Sequence, residues 1–82
     1  MKNEKLYRKA IEIAMDAEER FLAAYEANKS FKDDQALRDK HHQLEVGPAA
    51  SVACAQQELI AELFGVSEEK VHEDITQLLA DR

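Results

Sequence analysis

The stretch QQELIAELFGVSEEKVHEDITQLL, residues 56–79, decides the fold. Apolar residues recur at Leu59, Ile60, Leu63 and Phe64, then at Val71, Ile75, Leu78 and Leu79, both times with helical spacing. Between the two sets stands Gly65-Val66-Ser67. Gly65 reaches positive φ at no steric cost and can end the first helix. The Ser67 hydroxyl can accept a bond from an orphan backbone N–H of the next turn. Glu68 and Glu69 follow where the helix dipole favours negative charge. The stretch therefore reads as helix, tight turn, helix.

Working outward, 82 residues are the length of one domain, spanning residues 1–82. An apolar content of 45% argues against a disordered chain. With one Pro, two Gly and few β-branched residues against many Ala, Glu, Lys and Leu, the composition is that of an all-helical fold. The net charge of −6 is unevenly placed: residues 1–32 carry +1, residues 33–47 carry −2 and residues 48–82 carry −5. That balance argues against non-specific nucleic-acid or anionic-membrane binding by the C-terminal half.

In chain order, residues 3–28 form a first helix that Asn3 can cap. One apolar stripe runs through Leu6, Ala10, Ile13, Ala17, Phe21 and Ala24. An adjacent one runs through Tyr7, Ile11, Ala14, Leu22 and Tyr25, so the apolar face is wide. A straight helix of this length spans about 39 Å. A compact chain of this size has a radius of gyration of only about 12 Å. The overhang predicts a homodimer in which two first helices pack together antiparallel. Its interface would be Ala10, Ile13, Ala14, Ala17, Phe21 and Leu22, with the alanines at the close crossing.

Asn28-Lys29-Ser30-Phe31-Lys32 is a break. Ser30 or Asp33 can cap the next helix, and Phe31 is expected to fold back as a core anchor. Residues 33–46 form a second helix of thin apolar content. Gly47-Pro48 suits a helix end followed by a new helix start, the alternative being one long kinked helix through both residues. A third helix then covers residues 48–64, with Ala49, Val52, Ala53, Gln56, Leu59, Ile60 and Leu63 on its core side, and a fourth covers 68–80. The fold class is all-α: a long N-terminal helix plus three shorter helices in a small four-helix bundle with a helix-turn-helix-like C-terminal corner.

No constellation for catalysis emerges. There is no glycine-rich phosphate loop, no nucleophile with a matched base, and no sign of a cofactor. His41 and His42 are adjacent and so point about 100° apart on a helix, a poor spacing for one ion, and no metal site is read from them. Cys54, the only cysteine, sits among Val52, Ala53 and Ala55 and reads as a small buried thiol; with no internal disulfide possible, a cytoplasmic location is expected. The basic N-terminal end, Lys2, Lys5, Arg8 and Lys9, reads as a solvated helix end in which Glu4 pairs with Arg8. No apolar run is long enough to span a bilayer, and no signal peptide precedes the first helix.

Residues 57–78 resemble the helix-turn-helix motif of bacterial and phage DNA-binding proteins, through Ala61, Gly65, Val66, Val71 and Ile75. The resemblance implies two helices crossing closely at Ala61, with the second presenting its outer face to the major groove. On that reading Ser67, Lys70, His72 and Gln77 would contact DNA, and the chain would be a transcriptional regulator dimerised through its first helix. The charge opposes it: residues 67–82 carry five acids and two bases, and phosphate neutralisation by Lys and Arg supplies much of DNA affinity. The first expectation is therefore a small acidic, non-catalytic protein–protein interaction module, an adaptor or a phage-type inhibitor. It would meet a protein partner through the acidic C-terminal helix, at Glu68, Glu69, Glu73 and Asp74, or through the long first helix.

Overall fold

The computed structural model describes residues 3–82, and every regular element in that range is helical. Helix α1 spans Glu4–Lys29, α2 spans Gln35–His41, α3 spans Gly47–Phe64 and α4 spans Glu68–Ala80. Between α2 and α3 the chain is also helical, as a π turn over His42–Val46. The expected four-helix count is thus corrected to three helical rods: α1, a central rod running unbroken over residues 35–64, and α4. Lys2, part of the basic N-terminal end, lies outside the described residues.

Of the two readings of Gly47-Pro48, the break does not form and the chain runs as one long helix through both residues. Pro48 has no N–H to donate to the carbonyl four residues back, and its ring crowds that carbonyl in a regular α-helix. Instead of ending, the helix winds wider just before the proline: the Gly47 N–H reaches back five residues to the His42 carbonyl. One π turn is a common way for a long helix to absorb such a residue. Gly47 itself stays right-handed, at φ −58°, rather than turning the chain.

The two real turns have different chemistry. After α1, the Ser30 hydroxyl donates to the Ala27 carbonyl at 2.6 Å, while Asp34, not Ser30 or Asp33, caps α2 by accepting from the Leu37 N–H at 3.0 Å. After α3, Gly65 is left-handed at φ 66°, the Val66 N–H bonds the Ala61 carbonyl at 3.0 Å, and Ser67 caps α4 through Lys70 N–H at 3.1 Å. That six-to-one closure is the Schellman geometry a C-terminal glycine favours. Asn3 does not cap α1 with its side chain; it is itself left-handed, at φ 62°.

α1 and the central rod form an antiparallel hairpin. Tyr7 meets Phe64 edge-on with ring centroids 5.3 Å apart, Glu18 accepts from Gln57 Nε2 at 3.1 Å, and Asn28 donates to the Arg38 carbonyl at 2.9 Å. α4 folds back over the N-terminal half of the hairpin and closes the core of Tyr7, Ile11, Ala14, Ile60, Ala61, Val71 and Ile75. Val71 and Ile75 are fully buried. The other end of the hairpin has no such cover, and the molecule measures 49 × 24 × 16 Å with a radius of gyration of 14.7 Å.

Phe31 does not anchor the core. It is half-buried in the turn, with its ring 5.3 Å from that of His41. No helix among the described residues is long and apolar enough to cross a membrane.

Candidate interaction face

The outer side of α4 is built by its cap and its amphipathic spacing. Val71 and Ile75 turn inward, which leaves Glu68, Glu69, His72, Glu73, Thr76 and Gln77 exposed. Asp74 is not free with them. It accepts from the Tyr7 hydroxyl at 2.6 Å and from Lys70 Nζ at 3.0 Å, and Lys70 also lies 5.8 Å above the Tyr7 ring. Burial, and then the bond to Asp74, push the Tyr7 hydroxyl well above the usual tyrosine range. That same bond, helped by Lys70, holds Asp74 below the usual carboxylate range against the opposing effect of its partial burial.

Of the acidic set Glu68, Glu69, Glu73 and Asp74, three carboxylates therefore face water and the fourth ties α4 to α1. The DNA-contact set is engaged in a similar way. Ser67 is the helix cap, Lys70 is paired with Asp74, and Gln77 Nε2 donates to Asp81 at 3.1 Å. His72 alone of the four is exposed without such a bond among the described residues.

The first-helix set is divided by the fold. Ala14 is 2% exposed and Ala17 is also buried, both covered by the same chain's central rod, so they cannot form a crossing with a twin. Ala10 and Phe21 are half-buried. Ile13 and Leu22 are exposed, but nine residues of helix put them about 180° apart. One partner cannot cover both, so the expected crossing of two first helices at Ala10, Ala14 and Ala17 is corrected.

What Ile13 does join is a continuous apolar face shared with the rod. Ile13 is 62% exposed, Leu59 57% and Leu63 70%, with Val52 and Leu44 also largely exposed beside them. Of the residues expected on the core side of the third helix, Ala53 and Ile60 are inside while Val52, Leu59 and Leu63 are outside. The rod's apolar surface is simply wider than α1 and α4 can cover. Two shallow depressions run along this face, about 520 Å³ between Ile13, Ala24, Leu44, Pro48 and Val52, and about 270 Å³ between Ala10, Ile13, Leu59 and Leu63. They share Ile13 and Gln56. Gln56 Oε1 is enclosed and has no donor among the described residues. The sequence signal for this face was the seven-then-four spacing of Val52, Leu59 and Leu63.

The remaining candidates have structural roles. The Asn28 amide, oriented by its bond to the Arg38 carbonyl, donates to His41 Nδ1 at 3.1 Å, so His41 joins the end of α1 to the rod. Cys54 is exposed rather than buried, because the side of the rod it occupies has no neighbouring helix. No group of three or more His, Cys, Asp or Glu side chains that could hold a metal ion occurs among the described residues. Comparison with family models, curated proteins and solved structures gave no match.

Proposed function

We propose that the protein is a non-catalytic helical interaction module whose working surface is the apolar face of the α1–rod hairpin, engaged by a protein partner. The observation that carries this reading is the contiguity of Ile13, Val52, Leu59 and Leu63, all more than half exposed on one side of the hairpin. Contiguous apolar surface of this kind on a charged chain marks an interface. The titratable groups support it from the other side: Tyr7, Asp74 and Lys70 bond one another, and Glu18 bonds Gln57, so these groups serve packing. The acidic outer face of α4 is a weaker candidate than the sequence alone implied, since Asp74 is turned to Tyr7.

The test is a photo-crosslinking residue placed at Leu59, with the same residue at Thr76 on the outer side of α4 as the comparison. A discrete protein adduct from Leu59 in cells, larger than that from Thr76, is the expected result. No adduct from Leu59, with a chain that stays soluble and monomeric, would overturn the reading. The alternative of a helix-turn-helix regulator is supported by the turn itself, with Gly65 left-handed and Ala61 buried at the corner.

A further inference from the structure

The apolar face has borders of opposite charge. On α1, Lys9, Asp16 and Arg20 fall within about 60° of Ile13 around the helix, all on its outer side. On the rod the border is acidic: residues 43–66 contain Glu45, Glu58 and Glu62 and no Lys, Arg or His. Asp16 and Arg20 pair with each other at 3.1 Å. Lys9 and Glu62 are exposed and make no ion pair among the described residues.

We propose that the occupant of this face is a second copy of the chain, related by a twofold axis parallel to the hairpin, so that each α1 lies along the other copy's rod. This rests on reading the face as a protein-binding surface. Two hairpins packed face to face can be related by a twofold axis along the helices or across them. An axis across the helices lays rod on rod and brings the acidic borders together, which like charges oppose. An axis along them lays α1 on rod, basic border on acidic border, and makes an antiparallel four-helix bundle.

The along-axis arrangement also fixes the register. It leaves every residue at its own height along the hairpin. Tyr7 lies beside Phe64 and Glu18 beside Gln57, so Lys9 and Glu62 stand at about the same height on opposite borders. Across the interface they become neighbours, twice per dimer. By the same symmetry Ile13 faces the Leu59 and Leu63 side chains of the other copy. Gln56, on the floor between the two depressions, lies nearest the axis and meets its own equivalent.

Charge exchange tests the arrangement. Lys9→Glu and Glu62→Lys are both surface changes, and circular dichroism should show each variant as helical as the parent. In sedimentation equilibrium the parent chain is expected as a dimer, and each variant alone should dissociate about tenfold more readily, because two like-charge contacts replace two opposite ones. An equimolar mixture of the two variants should restore near-parental affinity as a heterodimer, since both exchanged contacts then pair Glu with Lys. A monomeric parent at tens of micromolar would overturn the second copy as occupant. An adduct between Leu59 and a different protein would in that case leave the interaction reading standing. A dimer whose variants are not rescued by mixing would overturn this twofold.

Discussion

The hydroxyl of Tyr7 donates to Asp74 Oδ2 at 2.6 Å, joining the start of α1 to the middle of α4 across 67 positions of sequence. Tyr7→Phe keeps the ring against Phe64 and removes only this bond, so it should cost about 1 kcal/mol in urea unfolding. The pH dependence is more specific. Asp74 is held below its unfolded value, so its contribution is complete above the ordinary carboxylate range near 3.9 and is lost as pH falls through the folded value. Tyr7 is raised above its unfolded value of 10.0, so its contribution is complete below that pH and is lost as pH rises past it. Stability measured across pH should fall on both the acid and the alkaline side in the parent and be flatter on both in Tyr7→Phe. Parallel curves would show that the pair does not titrate as the geometry requires.

Gly65 is left-handed at φ 66°, yet nothing lies within 4 Å of where a Cβ would stand. Any loss on substitution is therefore backbone strain and not a clash. Gly65→Val should destabilise by roughly 1–2 kcal/mol and Gly65→Asn by less, since Asn tolerates this region better. Thermal melts of the two variants decide it; equal melting temperatures for Val and Asn would contradict the turn.

Ile75 and Val71 are the two largest side chains with essentially no exposure, and both lie on α4. Ile75→Ala should cost about 2–5 kcal/mol, a large share of the stability of a chain this size. Leu59→Ala, on the open face, should change the stability of the isolated chain by less than about 0.5 kcal/mol. Denaturant midpoints at low protein concentration, where association is absent, measure both.

Duplex DNA is a further test of the corner. Lys70 is paired with Asp74, Gln77 with Asp81, and Glu68, Glu69 and Glu73 face outward. No measurable gel shift is expected at physiological salt. Sequence-selective binding below a micromolar concentration would favour the regulator reading instead.

Much of the fold could be read from residue chemistry. Gly65 and Ser67 act locally, and both perform the role their chemistry predicts. The span of α1, expected at 3–28 and found at Glu4–Lys29, follows from unbroken helical spacing. The rod was harder. Gly47-Pro48 carries a strong local stop signal, but α1 packs along both sides of it, and that packing outweighs the stop at the expense of one wide turn. The choice of face was not legible either. α1 is apolar around more than half its girth, and whether Ile13 or Ile11 points inward depends on where α4 lands. The burial of Val71 and Ile75, with the Tyr7–Asp74 bond beside it, holds that landing, and no pattern within either helix announces it. The same indeterminacy hid the open face, because Val52 and Leu59 look like core until the neighbours that would cover them are counted.

The π turn at His42–Val46 does more than accommodate a proline. It holds one residue more than an α-turn, so the rod has two angular phases along one axis. Upstream of it, Arg38 and His41 are aimed at Asn28; downstream, Ala53 and Ile60 are aimed at the middle and start of α1. Wound as plain α-helix, the upstream arm would swing by about 100° and lose Asn28. The segment is therefore a spacer whose winding and residue count must match. His42 and Gln43 are exposed and lie off the apolar face, so they are open to exchange. Removing one residue would let the segment close as a plain α-turn with both arms still in phase, whereas adding one would put them out of step.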